Sequence, residues 1–203
     1  VPKIVDHEER RWELVRATWA VIRERGVHGA SVRAVARQAG WSASSVQYYF
    51  STQAELLLFA LRAISEAGER RVCSPDLPTD PRARGLAQLE RLLPLDPDAQ
   101  VATEIWVAFL SLVLVDPEAR ALHSADNLRV ACLCREVLDT MSSAGQISPD
   151  VDLDLEASLL QALFDGIAVH AVTDPERMPP ARIRQLLKYH LNRLRATPSP
   201  ERE

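Results

Sequence analysis

Glycine and cysteine are both scarce in this chain, and each scarcity removes a class of protein. Only seven glycines occur among 203 residues, and most of the thirteen prolines fall in discrete clusters. The stretches between those clusters are rich in Ala, Leu, Arg and Glu, a composition that favours helices over strands. The three cysteines, Cys73, Cys132 and Cys134, are too few and too oddly spaced for a disulfide framework. Cys132-x-Cys134 lacks a second pair or a nearby histidine at zinc-finger spacing, so the thiols read as ordinary helix residues and no metal is expected. The five histidines are scattered and suggest no triad. No G-x-S-x-G, P-loop or G-x-G-x-x-G is present, so neither enzyme chemistry nor a cofactor is expected. No uninterrupted apolar run approaches the roughly 20 residues of a membrane span, and the start shows no signal-peptide pattern. A cytoplasmic protein with no membrane partner is the expectation.

Charge is unevenly spread. The chain carries a formal net charge of -4, which argues against a general nucleic-acid coat. Residues 1–71 hold eleven Lys/Arg against eight Asp/Glu, whereas residues 72–203 hold thirteen against twenty. A basic start on an acidic body suits a DNA-binding head joined to a part that does not touch phosphate.

The apolar residues Trp12, Val15, Trp19 and Ile22 recur at helical spacing, predicting a first helix over residues 6–25 that ends at Gly26. Ser31 is a good N-cap for a short second helix with Val32, Val35, Ala36 and Ala39 inside; Gly40 stops it. Ser42 then caps a third short helix closed by Tyr48-Tyr49-Phe50, and Thr52 can cap a fourth running to about Val72. A proline-rich linker spans 74–81. Further helices are expected over 82–93, 99–115, from Asp116-Pro117 to about Ser143, from Asp152 or Asp154 to about Thr173, and over 181–195. The expected fold is all-α with about nine helices. A three-helix head is expected over 1–51, a helical bundle over 52–197, and a disordered tail over 198–203.

Two short helices joined by the tight turn Ala39-Gly40-Trp41-Ser42, the second polar outside, fit a helix-turn-helix. An ordinary three-helix cluster with capped turns fits the periodicity as well. The stretch GVHGASVRAVARQAGWSASSVQYYFSTQAELL, Gly26 to Leu57, resembles without gaps the head of the TetR family of transcriptional regulators. That family has a Gly after helix one, a Ser/Thr cap, an IA..AGVS core, an aromatic close to helix three and an sKe.Ll opening to helix four. The resemblance implies that Ser31 and Arg33 meet phosphate or base edges. It puts Ala43, Ser44, Ser45 and Gln47 on the recognition surface, and Tyr48 and Tyr49 at phosphates. Gln53 stands where many members have a phosphate-binding lysine, and Gln47 where many have tyrosine.

The body resembles the family less specifically. EIWVAFLSLVLVDPEARAL, Glu104 to Leu122, is similar to the BetI-like branch, and LLQALFDGIAVHAV, Leu159 to Val172, carries the family's D-G-L-a helix. In the last two helices Leu159, Ala162, Leu163, Gly166 and His170, and Ile183, Leu187, His190 and Leu194, form stripes that fit either intramolecular core or a dimer interface. The resemblance implies an interface. Glu104, Trp106, Phe109, His123 and Phe164 are candidates for a small-effector pocket in which aromatics near a carboxylate would hold a cation; plain core packing is the other reading. The implied protein is a homodimeric repressor that releases a palindromic double-stranded operator when a small effector binds. A helical interaction protein without DNA binding, or an enzyme, is the alternative.

Overall fold

The computed structural model describes residues 7–26, 29–73 and 75–195. Within them the chain forms nine helices and no strand: α1 (His7–Arg25), α2 (Val32–Ala39), α3 (Ala43–Tyr49), α4 (Gln53–Val72), α5 (Pro81–Glu90), α6 (Pro97–Val113), α7 (Pro117–Ser143), α8 (Leu153–Thr173) and α9 (Pro180–Arg193). The tail at 198–203 and Asp6 of the first expected helix lie outside the described residues.

Three of the helices start with the same device, an Asp-Pro pair. Asp80 accepts from the Ala83 N–H (2.8 Å), Asp96 from that of Ala99 (2.8 Å), and Asp116 from those of Glu118 and Ala119 (2.8 and 2.9 Å). The proline that follows has its φ already set for a helix and lacks an N–H that would have no partner in the first turn. Consequently α5 and α6 begin on their prolines, earlier than expected, and α6 ends at Val113, with Leu114 and Val115 exposed in the turn after it.

Among the described residues packing gives two compact units, those up to 67 together with 100–123, and those of 68–99 together with 124–195. This differs from the linear cut expected at 51/52, and the reason is visible in the first unit. Leu56, Leu57 and Ala60 of α4, with Val101 and Ile105 of α6, complete the apolar core that Leu14, Val21, Ile22, Val35, Val46 and Phe50 begin. Interleaved with them on α4, Leu58 and Leu61 turn to a second cluster around Phe109 and Ala119, with Trp106 and Leu122 packed against it.

In the second unit, Leu89, Leu133, Val137, Leu138, Leu160, Phe164, Ile183, Leu187 and Leu191 are among the buried side chains. Gly85 allows α5 to lie close against α7, since a Cβ there would stand 2.4 Å from Val137 Cγ1. Arg82 ties three segments together by donating to the carbonyls of Leu191 and Gln146, while the Gln146 amide donates to Asp80 (2.8 Å). The helix α8 is the most apolar by composition of the described helices that are long enough to be compared with a membrane span. Its 21 residues are long and apolar enough, by length and composition alone, to cross a membrane. Asp154, Glu156 and Asp165 interrupt the run, so no continuous apolar stretch announces it.

Candidate nucleic-acid interface

The geometry of the α2–α3 pair follows from three local choices. Ser31 caps α2, its hydroxyl accepting from the Ala34 N–H (3.2 Å). Gly40 ends α2 in the left-handed region (φ 70°), where glycine alone is unstrained, and the Trp41 N–H closes back onto Ala36 O (2.8 Å). Ser42 then caps α3, accepting from the Ser45 N–H (3.1 Å), and its Oγ lies 3.0 and 2.7 Å from the hydroxyls of Ser44 and Ser45. Val46 and Phe50 are buried in the head core and fix the rotation of α3. The Phe50 ring leans on Phe59 of α4 at 5.2 Å. The start of α4 is held by Thr52, which accepts from Glu55 N–H (3.1 Å), and by Glu55, which accepts from Ser51 N–H (2.7 Å).

With α3 rotated in this way, Ser44, Ser45, Gln47 and Tyr48 are exposed, Tyr48 by 79%. Ser31, Arg33 and Gln53 are exposed as well. Ala43 and Tyr49 differ from the expectation of a fully outward surface: both are half-buried and pack against the head core. Tyr49 stands edge-on between Trp41 (5.8 Å, 61°) and Tyr48 (5.3 Å, 84°), and Arg10 of α1 places its guanidinium 5.6 Å from the Trp41 ring. Sequence reasoning passed over Arg10 and gave Trp41 no role. The signal available was the bulk of Trp41 where the family pattern has Val in AGVS.

The effector candidates fall in different surroundings. Phe109 is fully buried against Leu58, Leu61 and Ala119, a core position. Trp106 packs half-buried on that cluster, while Glu104, two residues before it on the same helix, cannot face it. Glu104 accepts instead from the Gln100 side chain (3.4 Å). His123 is half-buried in this first unit, and Phe164 is buried in the second.

The two dimer stripes part company. On α8, Leu159, Ala162 and His170 are exposed and Leu163 and Gly166 half-exposed, with Leu155 extending the stripe. On α9, Ile183, Leu187, His190 and Leu194 are buried within their own unit, which corrects the expectation for all four. The outward side of α9 instead carries Arg182, Gln185, half-buried Leu186 and Tyr189, the last 71% exposed. Around His190, Arg193 Nη2 donates to both oxygens of Glu156 (2.8 and 3.0 Å), and Nε2 of His190 lies 3.6 Å from the same carboxylate. Burial nevertheless lowers the His190 pKa from its ordinary 6.5, outweighing the pull of Glu156, and Arg193 adds to the depression. The folded protein therefore holds this imidazole neutral while the unfolded chain takes up a proton near pH 6.5. His190 contributes stability that is fully present above that pH and is lost as pH falls through the depressed folded value. Denaturant midpoints at about pH 8 and about pH 5.5 are expected to differ less in His190→Gln than in wild type; equal differences would remove His190 from the account. The buried Cys134 of α7 takes no such part, because burial, with Asp165 adding, pushes its thiol up to about 12.

Two short capped helices held at a fixed angle, the second outward and polar, on an all-α chain with a separate helical unit, define a helix-turn-helix regulator. The model for bacterial regulatory proteins of the tetR family matches residues 14–60, and that for the C-terminal part of BetI-type transcriptional repressors matches residues 81–196. The HTH-type transcriptional regulator PksA of Bacillus subtilis is 33% identical over 194 residues, covering 94% of this chain and 92% of the relative. BetI 2 of Chromohalobacter salexigens is 29% identical over 201 residues, covering 96% and 92%. The crystal structure of a transcriptional regulator from Rhodococcus sp. Rha1 superposes with a TM-score of 0.77 at 29% identity, covering 91% of this chain and 95% of its own. The chain belongs to the TetR family of transcriptional regulators. Regulators of this family bind operator DNA and small ligands, and form dimers.

Proposed function

We propose that this protein is a homodimeric repressor, working in the cytoplasm, that reads a palindromic operator with α3 and leaves it when a small effector binds. The observation that carries the reading is α3 itself. Its buried Val46, with Phe50 just after it, anchors the helix, while Ser44, Ser45, Gln47 and Tyr48 are exposed, as is Arg33 of α2. In a dimer two such helices would meet half-sites roughly 34–36 Å apart. Support for the dimer comes from α8. A mid-helix glycine costs about 1 kcal/mol against alanine, and among the described residues, the helix's own backbone and the chain neighbours aside, no atom lies within 4 Å of where a Gly166 Cβ would be. A second α8 approaching closely at Gly166 gives that glycine a purpose.

Effector control is supported by α4. One side of it (Leu56, Leu57, Ala60) belongs to the head core, and Leu58 and Leu61 hold the α6 cluster around Phe109 and Trp106. A ligand that shifts α6 therefore moves the support of α3, provided it binds the two arrangements with different affinity.

Selection of bound sequences from a random duplex pool tests the reading. An enriched palindrome, lost in Arg33→Ala, is the expected result; no enrichment by folded, ligand-free dimer would overturn it. The recognition helix carries no Lys or Arg, so it cannot make the bidentate guanine contact those residues make. Gln47 is its one amide and is suited to adenine N6 and N7. Gln47→Ala is expected to cost about 1–3 kcal/mol of discrimination at one base pair in each half-site. One column of the selected motif should become random while the others persist; an unchanged motif would show that Gln47 reads no base.

A further inference from the structure

We infer that Arg10, held over the Trp41 ring, is a phosphate-contacting cation of the DNA interface and that Trp41 is the residue that positions it. The inference rests on the DNA-reading function above. The recognition helix contains no charged residue, and Gln53 at the start of α4 is neutral, so positive charge near α3 must come from other elements. Elsewhere in the head, Arg25 is paired with Glu24 (3.4 Å) and Arg62 with Glu118 (2.7 Å). Arg10 instead lies against an aromatic face, 5.6 Å from the Trp41 centroid, and the residue is exposed.

The backbone fixes where that ring stands. Trp41 sits between left-handed Gly40 and the N-cap Ser42, with its own N–H bonded to Ala36 O (2.8 Å). Its edge contact with Tyr49 (5.8 Å) joins it to α3. Arg10, Trp41, Tyr49 and Tyr48 thus form a continuous series that begins with a guanidinium at the mouth of the recognition helix and ends on an exposed phenol. A stacked guanidinium keeps its planar fork of donors outward and loses less freedom when a phosphate arrives, which is what a compact ammonium at the same place would not offer.

The test is the salt dependence of operator binding by the intact dimer, measured from about 50 to about 300 mM KCl. Arg10→Gln should lower the slope of log affinity against log salt by about 0.9 per head, near two per dimer. Binding should be tens of times weaker at about 0.1 M salt and converge with wild type as salt rises. Arg10→Lys should restore the slope but not the whole affinity. Trp41→Val should weaken binding, and adding Arg10→Gln to it should cost much less than Arg10→Gln alone, because the two act as one unit. Arg16→Gln, which neutralises another exposed arginine of α1, should leave the slope unchanged. A wild-type slope in Arg10→Gln, or full additivity of the two substitutions, would overturn the inference and leave the operator reading intact. Wild-type protein that binds no operator at any salt would instead remove the reading on which it rests.

Discussion

Replacing Leu159 with arginine is expected to convert the protein from dimer to monomer and to weaken operator binding by 10²–10⁴-fold, the loss expected when two linked heads bind separately. Leu155 and Leu159 are 59% and 44% exposed on α8, and with Ala162, Leu163 and Gly166 they make an apolar stripe along one outward side of the helix. An exposed apolar stripe of this kind marks an interaction surface. In a two-fold dimer the same residue enters the interface twice, so each dimer would bury two unpaired guanidiniums. Truncating or mispairing a buried charge costs about 3–5 kcal/mol, and two such losses exceed what an ordinary interface leaves in reserve. Leu128→Arg, at a leucine of α7 that is 65% exposed, serves as the control and should leave the dimer intact. Light scattering at micromolar protein reads both. A dimeric Leu159→Arg would place the interface elsewhere.

The head was legible because its determinants are local. Ser31, Gly40 and Ser42 each act within four residues on the chain, through the bonds to Ala34, Ala36 and Ser45, so their spacing carries the geometry. The body was less so. Periodicity shows that α9 has an apolar side, but not whether that side meets its own unit or a second copy. Ile183, Leu187 and His190 proved to be core, and Tyr189, one position before His190, faces outward. Periodicity is equally silent on the effector candidates: Glu104 and Trp106, two residues apart, lie on different sides of α6, and which side chains from other helices meet either one is not written in the sequence. Where the units divide was also out of reach of sequence, because Val101 and Ile105 join the head core from forty or more residues beyond it. The contact of Arg10 with Trp41 is long-range in the same sense, spanning α1 to the turn.

Phe109→Ala is expected to lower stability by about 3–5 kcal/mol, the usual cost of truncating a buried phenylalanine. For a chain of this length that is a fall of about 6–20 °C in Tm. The side chain is 0% exposed and meets Leu58 and Leu61 of α4 and Ala119 of α7, so its removal leaves a cavity that three helices border. The prediction separates two roles for the α6 face. If Phe109 is core, as its burial indicates, Tm falls sharply in the absence of any ligand. If it lined an open effector site, truncation would enlarge that site, Tm would hardly move, and the effector response would change instead. Trp106 is the matched comparison, since it is half-buried on the edge of the same cluster. Trp106→Ala should cost less stability than Phe109→Ala, so that any change in operator release by ligand can be read on a folded protein. Because Leu56 and Leu57 carry the head on the same helix that Leu58 presents to Phe109, Phe109→Ala is also expected to weaken operator binding below its melting temperature. Unchanged operator affinity in a destabilised Phe109→Ala would show that α4 does not transmit the packing of α6 to the recognition helix.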